Sequence, residues 1–150
     1  LCRTLNPHDK PGKLVFIHRM GAEKCEARLP AILAAVLDSG ARVLWTCDPM
    51  HGNTRLSAPA EPGQLPVKTR RFDDILSELE IALDVYERVG TRLGGVHFEM
   101  TGEDVTECVG GGAGVTDEDL GRNYASLCDP RLNYQQALEL AFLLAKRLPA

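Results

Sequence analysis

The chain has 150 residues, 44% of them hydrophobic, and a formal charge of −4 with both signs spread along its length, a balance that argues against nucleic acid as the main partner. No apolar run approaches the roughly 18 residues that cross a bilayer, and Leu1 to Lys10 lacks the apolar core of a signal peptide, so no membrane partner is expected. Five cysteines, Cys2, Cys25, Cys47, Cys108 and Cys128, include no C-x-x-C pair, which argues against a disulfide framework or a zinc ribbon and points to a reducing cytoplasm.

The length suits one domain, 1–150, able to bury about 68–70% of its unfolded surface if it folds alone. Residues 1 to 12 form a polar lead-in with turn signals at Asn6-Pro7 and Pro11-Gly12. The absence of an initiator methionine gives the expectation that the chain starts inside something longer. Leu14 to Ile17 reads as a first strand. Ala22 to Ser39 reads as a helix with Leu29, Ile32, Leu33, Val36 and Leu37 on one stripe, Pro30 starting a fresh helical turn and Gly40 closing the unit. Val43 to Thr46 is the second predicted strand. Asp48 to Arg71 holds Pro49, Pro59, Pro62 and Pro66 and is expected to be an irregular loop of functional length.

Phe72 to Val89 carries Ile75, Leu76, Leu79, Leu83 and Tyr86 at helical spacing, opens with Asp73 and Asp74, and is stopped by Gly90. A third strand is expected over Val96 to Met100. Gly110 to Gly114 reads as a flexible loop, Thr116 to Asn123 as a short helix capped by Thr116 with Asp119 at N3, and Ala125 to Cys128 as a brief fourth strand. A last helix runs from Asn133 or Tyr134 to Arg147 through Ala137, Leu140, Ala141 and Leu144. Four β-α repeats predict an α/β fold with a parallel sheet and right-handed crossovers.

In such folds the side chains that follow the strands gather at one edge of the sheet. His51 follows the second strand, Glu99 ends the third and Asp129 the fourth, while Arg19 follows the first. Each alone has a plain structural role: His51 as a loop histidine bonded to backbone, Glu99 as an N-cap or partner of Arg19, Asp129 as a turn former before Pro130, Arg19 as a solvated charge. Together, one imidazole and two carboxylates suit Mn²⁺, Zn²⁺, Co²⁺ or Fe²⁺ better than Ca²⁺. Arg19 would be a fork for phosphate or carboxylate. Lys68, Arg70 and Arg71 are a basic cluster or solvated loop charges, so acidic small molecules remain open as ligands. The glycine run lacks the spacing of a phosphate loop. Cys47 and Cys128 read as buried thiols, and His18 and His97 as strand-interior residues, with His97 able to orient a ligand.

Several strings are long enough to carry a resemblance: Arg19-Met20-Gly21-Ala22, Cys47 to Thr54, Lys68-Thr69-Arg70, Glu99 with Thr101 to Cys108, and Cys128 to Asn133. From about Leu1 to its end the chain resembles type II 3-deoxy-D-arabino-heptulosonate 7-phosphate (DAHP) synthase. The resemblance implies four βα units equivalent to the C-terminal half of a (β/α)8 TIM barrel, a partial-barrel domain over 1–150. It also implies a transferase, condensing phosphoenolpyruvate with erythrose 4-phosphate at the first step of the shikimate pathway, towards aromatic amino acids.

The resemblance makes His51, Glu99 and Asp129 metal ligands for Mn²⁺, Co²⁺ or Zn²⁺ and Arg19 a phosphoenolpyruvate contact, with Lys68 and Arg70 as possible phosphate contacts. The family's fourth ligand, a cysteine, and most of its other phosphoenolpyruvate-binding residues are expected in an N-terminal half outside this sequence. Arg71 stands where the family string commonly has histidine. The full-length form is expected to be a homo-oligomer. A short, catalytically inactive binding or regulatory module is the competing reading, one that should self-associate because four parallel strands leave two raw edges.

Overall fold

The computed structural model describes residues 1–58 and 65–147, so Pro59 and Pro62 of the long loop lie outside the described residues. The chain is a mixed α/β structure that divides into two compact units, Leu1–Gly52 with Glu78–His97 and Asn53–Ser77 with Phe98–Ala150.

The first unit opens with a short helix, α1 (Cys2–Leu5), and is built on a three-stranded parallel sheet: β1 (Val15–His18), central β2 (Leu44–Cys47) and β5 (Gly95–Val96). Pairing of His18 with Cys47 and of Cys47 with Val96 aligns the three C-terminal ends. Helix α2 (Ala22–Asp38) links β1 to β2 and buries Cys25, Leu29 and Leu33. That stripe is narrower than expected, since Ile32 and Leu37 are exposed. Pro30 lies inside α2 instead of starting a new turn. A proline in a helix interior forfeits one backbone bond, and burial of Leu29 and Leu33 on either side of it offsets that loss.

The long helix α3 (Phe72–Val89) has the bounds its apolar spacing predicts. Its residues from Glu78 onwards belong to the first unit, where Leu79, Ala82, Leu83, Val85 and Tyr86 are buried. Trp45 packs edge-on to Phe16 and Tyr86 at ring separations of 5.5 and 6.2 Å. Gly90 ends the helix at φ 77°, a left-handed conformation that a side chain would disfavour, with the Thr91 N–H donating to the Tyr86 carbonyl.

The expected irregular loop begins with a 3₁₀ turn (His51–Asn53) and, in the second unit, contains an antiparallel pair, β3 (Arg55–Leu56) with β4 (Lys68–Thr69). The Ser57 N–H donates to the Val67 carbonyl at 2.8 Å and extends this pairing by one residue. The third strand is shorter than expected, because only Gly95–Val96 pairs in the sheet and Met100 forms a separate parallel bridge with Leu132.

Ala125 to Cys128 is not a strand. The N–H groups of Ala125 and Ser126 are taken by the Glu107 carboxylate at 3.1 and 2.8 Å, and that of Cys128 by the Ser126 hydroxyl, so no neighbouring strand is needed to satisfy them. The glycine run closes as a tight turn with Gly110 bridged to Val115. After it, the predicted short helix is one 3₁₀ turn (Asp117–Asp119), held by the expected capping box of Thr116 and Asp119. Helix α4 (Tyr134–Arg147) buries Gln136 and Leu140, whereas Ala141 is exposed.

Candidate functional site

Parallel pairing carries Arg19, Asp48 and His97 to one edge of the first unit's sheet: the Asp48 N–H donates to the His18 carbonyl and the His97 N–H to the Cys47 carbonyl, at 2.9 and 2.8 Å. Beyond β2 the chain turns immediately, and a buried carboxylate makes the turn. Asp48 Oδ1 accepts from the N–H groups of Met50 and His51 at 3.0 and 3.2 Å, while Oδ2 lies 2.6 Å from His51 Nδ1. The imidazole is thereby fixed, and it is about a quarter exposed. His97, which is exposed, stands with its ring 6.0 Å from that of His51. Donor atoms of Asp48, His51 and His97 all lie within 4.8 Å of one another.

Arg19 is exposed just past β1, on a loop fixed by Glu78 of α3. Both oxygens of this buried carboxylate accept backbone N–H groups, Met20 at 2.8 Å and Gly21 at 3.1 Å. Negative charge at the N-terminus of α2 is favoured by the helix dipole. The same loop touches the turn after β2: a Cβ on Gly52 would stand 2.4 Å from the Gly21 nitrogen.

His18, Cys25 and Glu78 also bring donor atoms within 4.8 Å, all buried. Burial pushes His18 down to about 4 against the opposing pull of Asp48, and burial followed by Glu78 pushes the Cys25 thiol up to about 12. Neutral forms and a carboxylate already bonded on both oxygens make this cluster part of the core.

In the second unit β4 delivers the basic residues. Arg70 is wholly buried, its Nε donating to the Thr54 hydroxyl at 2.9 Å and its Nη1 engaging the Pro130 carbonyl and, at 2.5 Å, Glu99. Lys68, half-exposed, pairs with Asp129 at 3.2 Å. That ammonium, with Arg70 further off, holds the Asp129 carboxyl below its usual range. The carboxylates of Glu99 and Asp129 come within 4.8 Å of one another. Their segments run side by side because Leu132 donates its N–H to the Glu99 carbonyl and accepts from Thr101, both at 2.9 Å.

The loop bearing Asp129 is shaped by Glu107, which is buried and accepts five hydrogen bonds, from Ala125 N, Ser126 N and the Arg131 N, Nε and Nη2. Burial alone would raise its pKa, but the Arg131 guanidinium and these N–H groups outweigh it and hold the carboxyl below its ordinary value. Cys128, expected as a buried thiol, is exposed beside Asp129, whereas Cys47 is buried. Thus Arg19 and His51 share the sheet edge of the first unit, and Lys68, Arg70, Glu99 and Asp129 are joined by ion pairs in the second.

A family model described as the Class-II DAHP synthetase family matches residues 1–145. The chain belongs to this family. It is 50% identical over 147 residues to the phospho-2-dehydro-3-deoxyheptonate aldolase of Neurospora crassa, covering 97% of this chain and 29% of that protein. It is 50% identical over 142 residues to the enzyme of the same name from Streptomyces coelicolor, covering 95% and 30%, and 47% identical over 144 residues to that of Mycolicibacterium smegmatis, covering 96% and 30%. The chain therefore spans about 30% of the length of these relatives.

Three buried carboxylates of this chain were not singled out from the sequence: Asp48, Glu78 and Glu107. Asp48 had a local signal, its i, i+3 spacing to His51. Glu78 had a weaker one, a charge on the face of α3 that also carries Ile75 and Ala82. Glu107 had none, because its partners Ala125, Ser126 and Arg131 lie far along the chain. Among the described residues no helix is long and apolar enough to cross a membrane.

Proposed function

We propose that this chain is the C-terminal half of the (β/α)8 barrel of a metal-dependent DAHP synthase. The reaction joins C3 of phosphoenolpyruvate to the aldehyde carbon of erythrose 4-phosphate, adds water at C2 and releases phosphate by C–O cleavage. The observation that carries this reading is the family match over residues 1–145, which includes every string that bears a proposed site residue.

His51, Glu99 and Asp129 are proposed as the metal ligands. The donor chemistry fits: in a neutral imidazole whose Nδ1 faces a carboxylate the lone pair is on Nε2, and two carboxylates supply charge for a divalent ion such as Mn²⁺, Co²⁺ or Zn²⁺. When bound, that ion supplies Lewis-acid polarisation of the substrate aldehyde. Arg19, exposed on a loop held by Glu78, offers a guanidinium fork to phosphoenolpyruvate. Lys68, with an exposed ammonium next to Asp129, is suited to a substrate phosphate. Arg70 is proposed to act from below, holding Glu99 in place and adding positive potential to the phosphate region. By keeping phosphorylated reactants in fixed register, these cations lower the entropic part of the barrier.

The test is phosphate release from phosphoenolpyruvate with erythrose 4-phosphate, measured on the product of the coding sequence that contains this chain, after chelation and Mn²⁺ addition. The wild type should turn over only with metal, and His51→Ala should fall to background. Wild-type turnover by His51→Ala would remove the reading.

A further inference from the structure

We infer that Asp48 is the residue that selects the tautomer of His51 and so makes it a ligand, an inference that rests on the metal-site reading above. Three contacts fix the argument. Asp48 is 4% exposed, so water does not compete for its oxygens. Oδ1 is committed to two backbone donors, Met50 N and His51 N. Oδ2 is left facing His51 Nδ1 at 2.6 Å. A carboxylate offers only acceptors, so Nδ1 carries the proton, and in the neutral ring the lone pair is then on Nε2. Carboxylate partners of this kind orient ligating histidines and raise their basicity.

The geometry separates this role from simple capping. Replacing Asp48 by asparagine keeps size, shape and a capping oxygen. Because the two backbone donors hold that oxygen in place, the amide nitrogen must take the position facing His51. It presents N–H to Nδ1, which then has to accept, and the imidazole proton moves to Nε2. The lone pair intended for the metal is lost while the turn survives. Replacing Asp48 by serine keeps a capping oxygen too short to reach the ring, leaving His51 free to adopt either tautomer.

Asp48→Asn should therefore unfold at nearly the wild-type temperature yet bind Mn²⁺ about 10–100-fold more weakly, with Asp48→Ser between the two. A purely structural Asp48 predicts the opposite order, asparagine near wild type and serine worst. ¹H–¹⁵N correlation of the His51 ring in metal-free protein, at a pH where it is neutral, reads the tautomer without reference to activity. The proton should sit on Nδ1 in the wild type, on Nε2 in Asp48→Asn and on both in Asp48→Ser. An Asp48→Asn variant with the proton on Nδ1 and wild-type Mn²⁺ affinity would overturn the inference, as would the reversed order of affinities. His51→Ala with undiminished Mn²⁺ binding would instead sink the ligand assignment, whatever the tautomer.

Discussion

Substituting Glu107 by glutamine tests how the Asp129 loop is held, and the size of the effect follows from which oxygen is replaced. Oε1 accepts from Ala125 N, Ser126 N and Arg131 Nη2, and Oε2 from Arg131 N and Nε. An amide nitrogen at the less burdened position still faces the two donors of Arg131, so at least two bonds are lost and two donors are left opposed. Hydrogen bonds to a charged group contribute roughly 1.5–3 kcal/mol each, and breaking a buried ion pair costs about 3–5 kcal/mol. Glu107→Gln should therefore destabilise by about 3–5 kcal/mol, a large part of a typical total of about 5–15 kcal/mol.

In urea, with an m-value near 2 kcal/mol/M, the midpoint should fall by about 2 M. There is also a pH signature. The folded carboxyl titrates below its ordinary value of 4.5, so its contribution is present above that value and fades as pH falls through the lower folded one. The glutamine variant should lack that dependence. A change below about 0.5 kcal/mol, the range of ordinary surface substitutions, would refute the reasoning and mean that the loop holds its shape without the carboxylate.

Gly52→Ala should lower Tm by roughly 3–10 °C, because its Cβ would meet backbone at 2.4 Å and forced overpacking typically costs about 1–3 kcal/mol; differential scanning calorimetry showing an unchanged Tm would mean that the two turns part freely. His18 is held neutral, its pKa falling from 6.5 to about 4 on folding, so between those values the unfolded chain binds more protons and stability rises with pH. Acidification across that window should cost up to about 3 kcal/mol. His18→Phe should flatten the slope, and equal slopes in the two proteins would show that His18 is not the group responsible.

Elements that depend on local pattern were legible in the sequence. Helix α3 could be read to the residue because 3-to-4 spacing runs unbroken from Ile75 to Tyr86 and a glycine ends it. The capping box at Thr116 was legible for the same reason, but the one turn of helix behind it was not, since a cap says where a helix starts and nothing about its length. The fourth strand failed because strand character in Ala125 to Cys128 was inferred from composition, whereas Glu107, far off in sequence, decides where those N–H groups point. Site residues were visible as chemical types after apolar runs. Their partners were not: that Arg70 would be buried on Glu99 and Lys68 paired to Asp129 depends on how β4 returns against β3.

One device recurs in the loops that carry proposed site residues. The loop with Arg19 is held by Glu78 through Met20 N and Gly21 N, the turn with His51 by Asp48 through Met50 N and His51 N, and the loop with Asp129 by Glu107 through Ala125 N, Ser126 N and Arg131 N. A short irregular loop has N–H groups with no ladder to pair with, and burying them unpaired is costly. A carboxylate answers several of them with one side chain, and its own burial is met by the charge-assisted bonds it receives. None of these three carboxylates is among the proposed ligands. Loop shape is therefore set by groups that do not have to move when a metal or substrate arrives, so little ordering cost falls on binding itself. It follows that substitutions at Asp48, Glu78 and Glu107 act on the candidate site through backbone position or side-chain orientation rather than by removing a contact to the reactants.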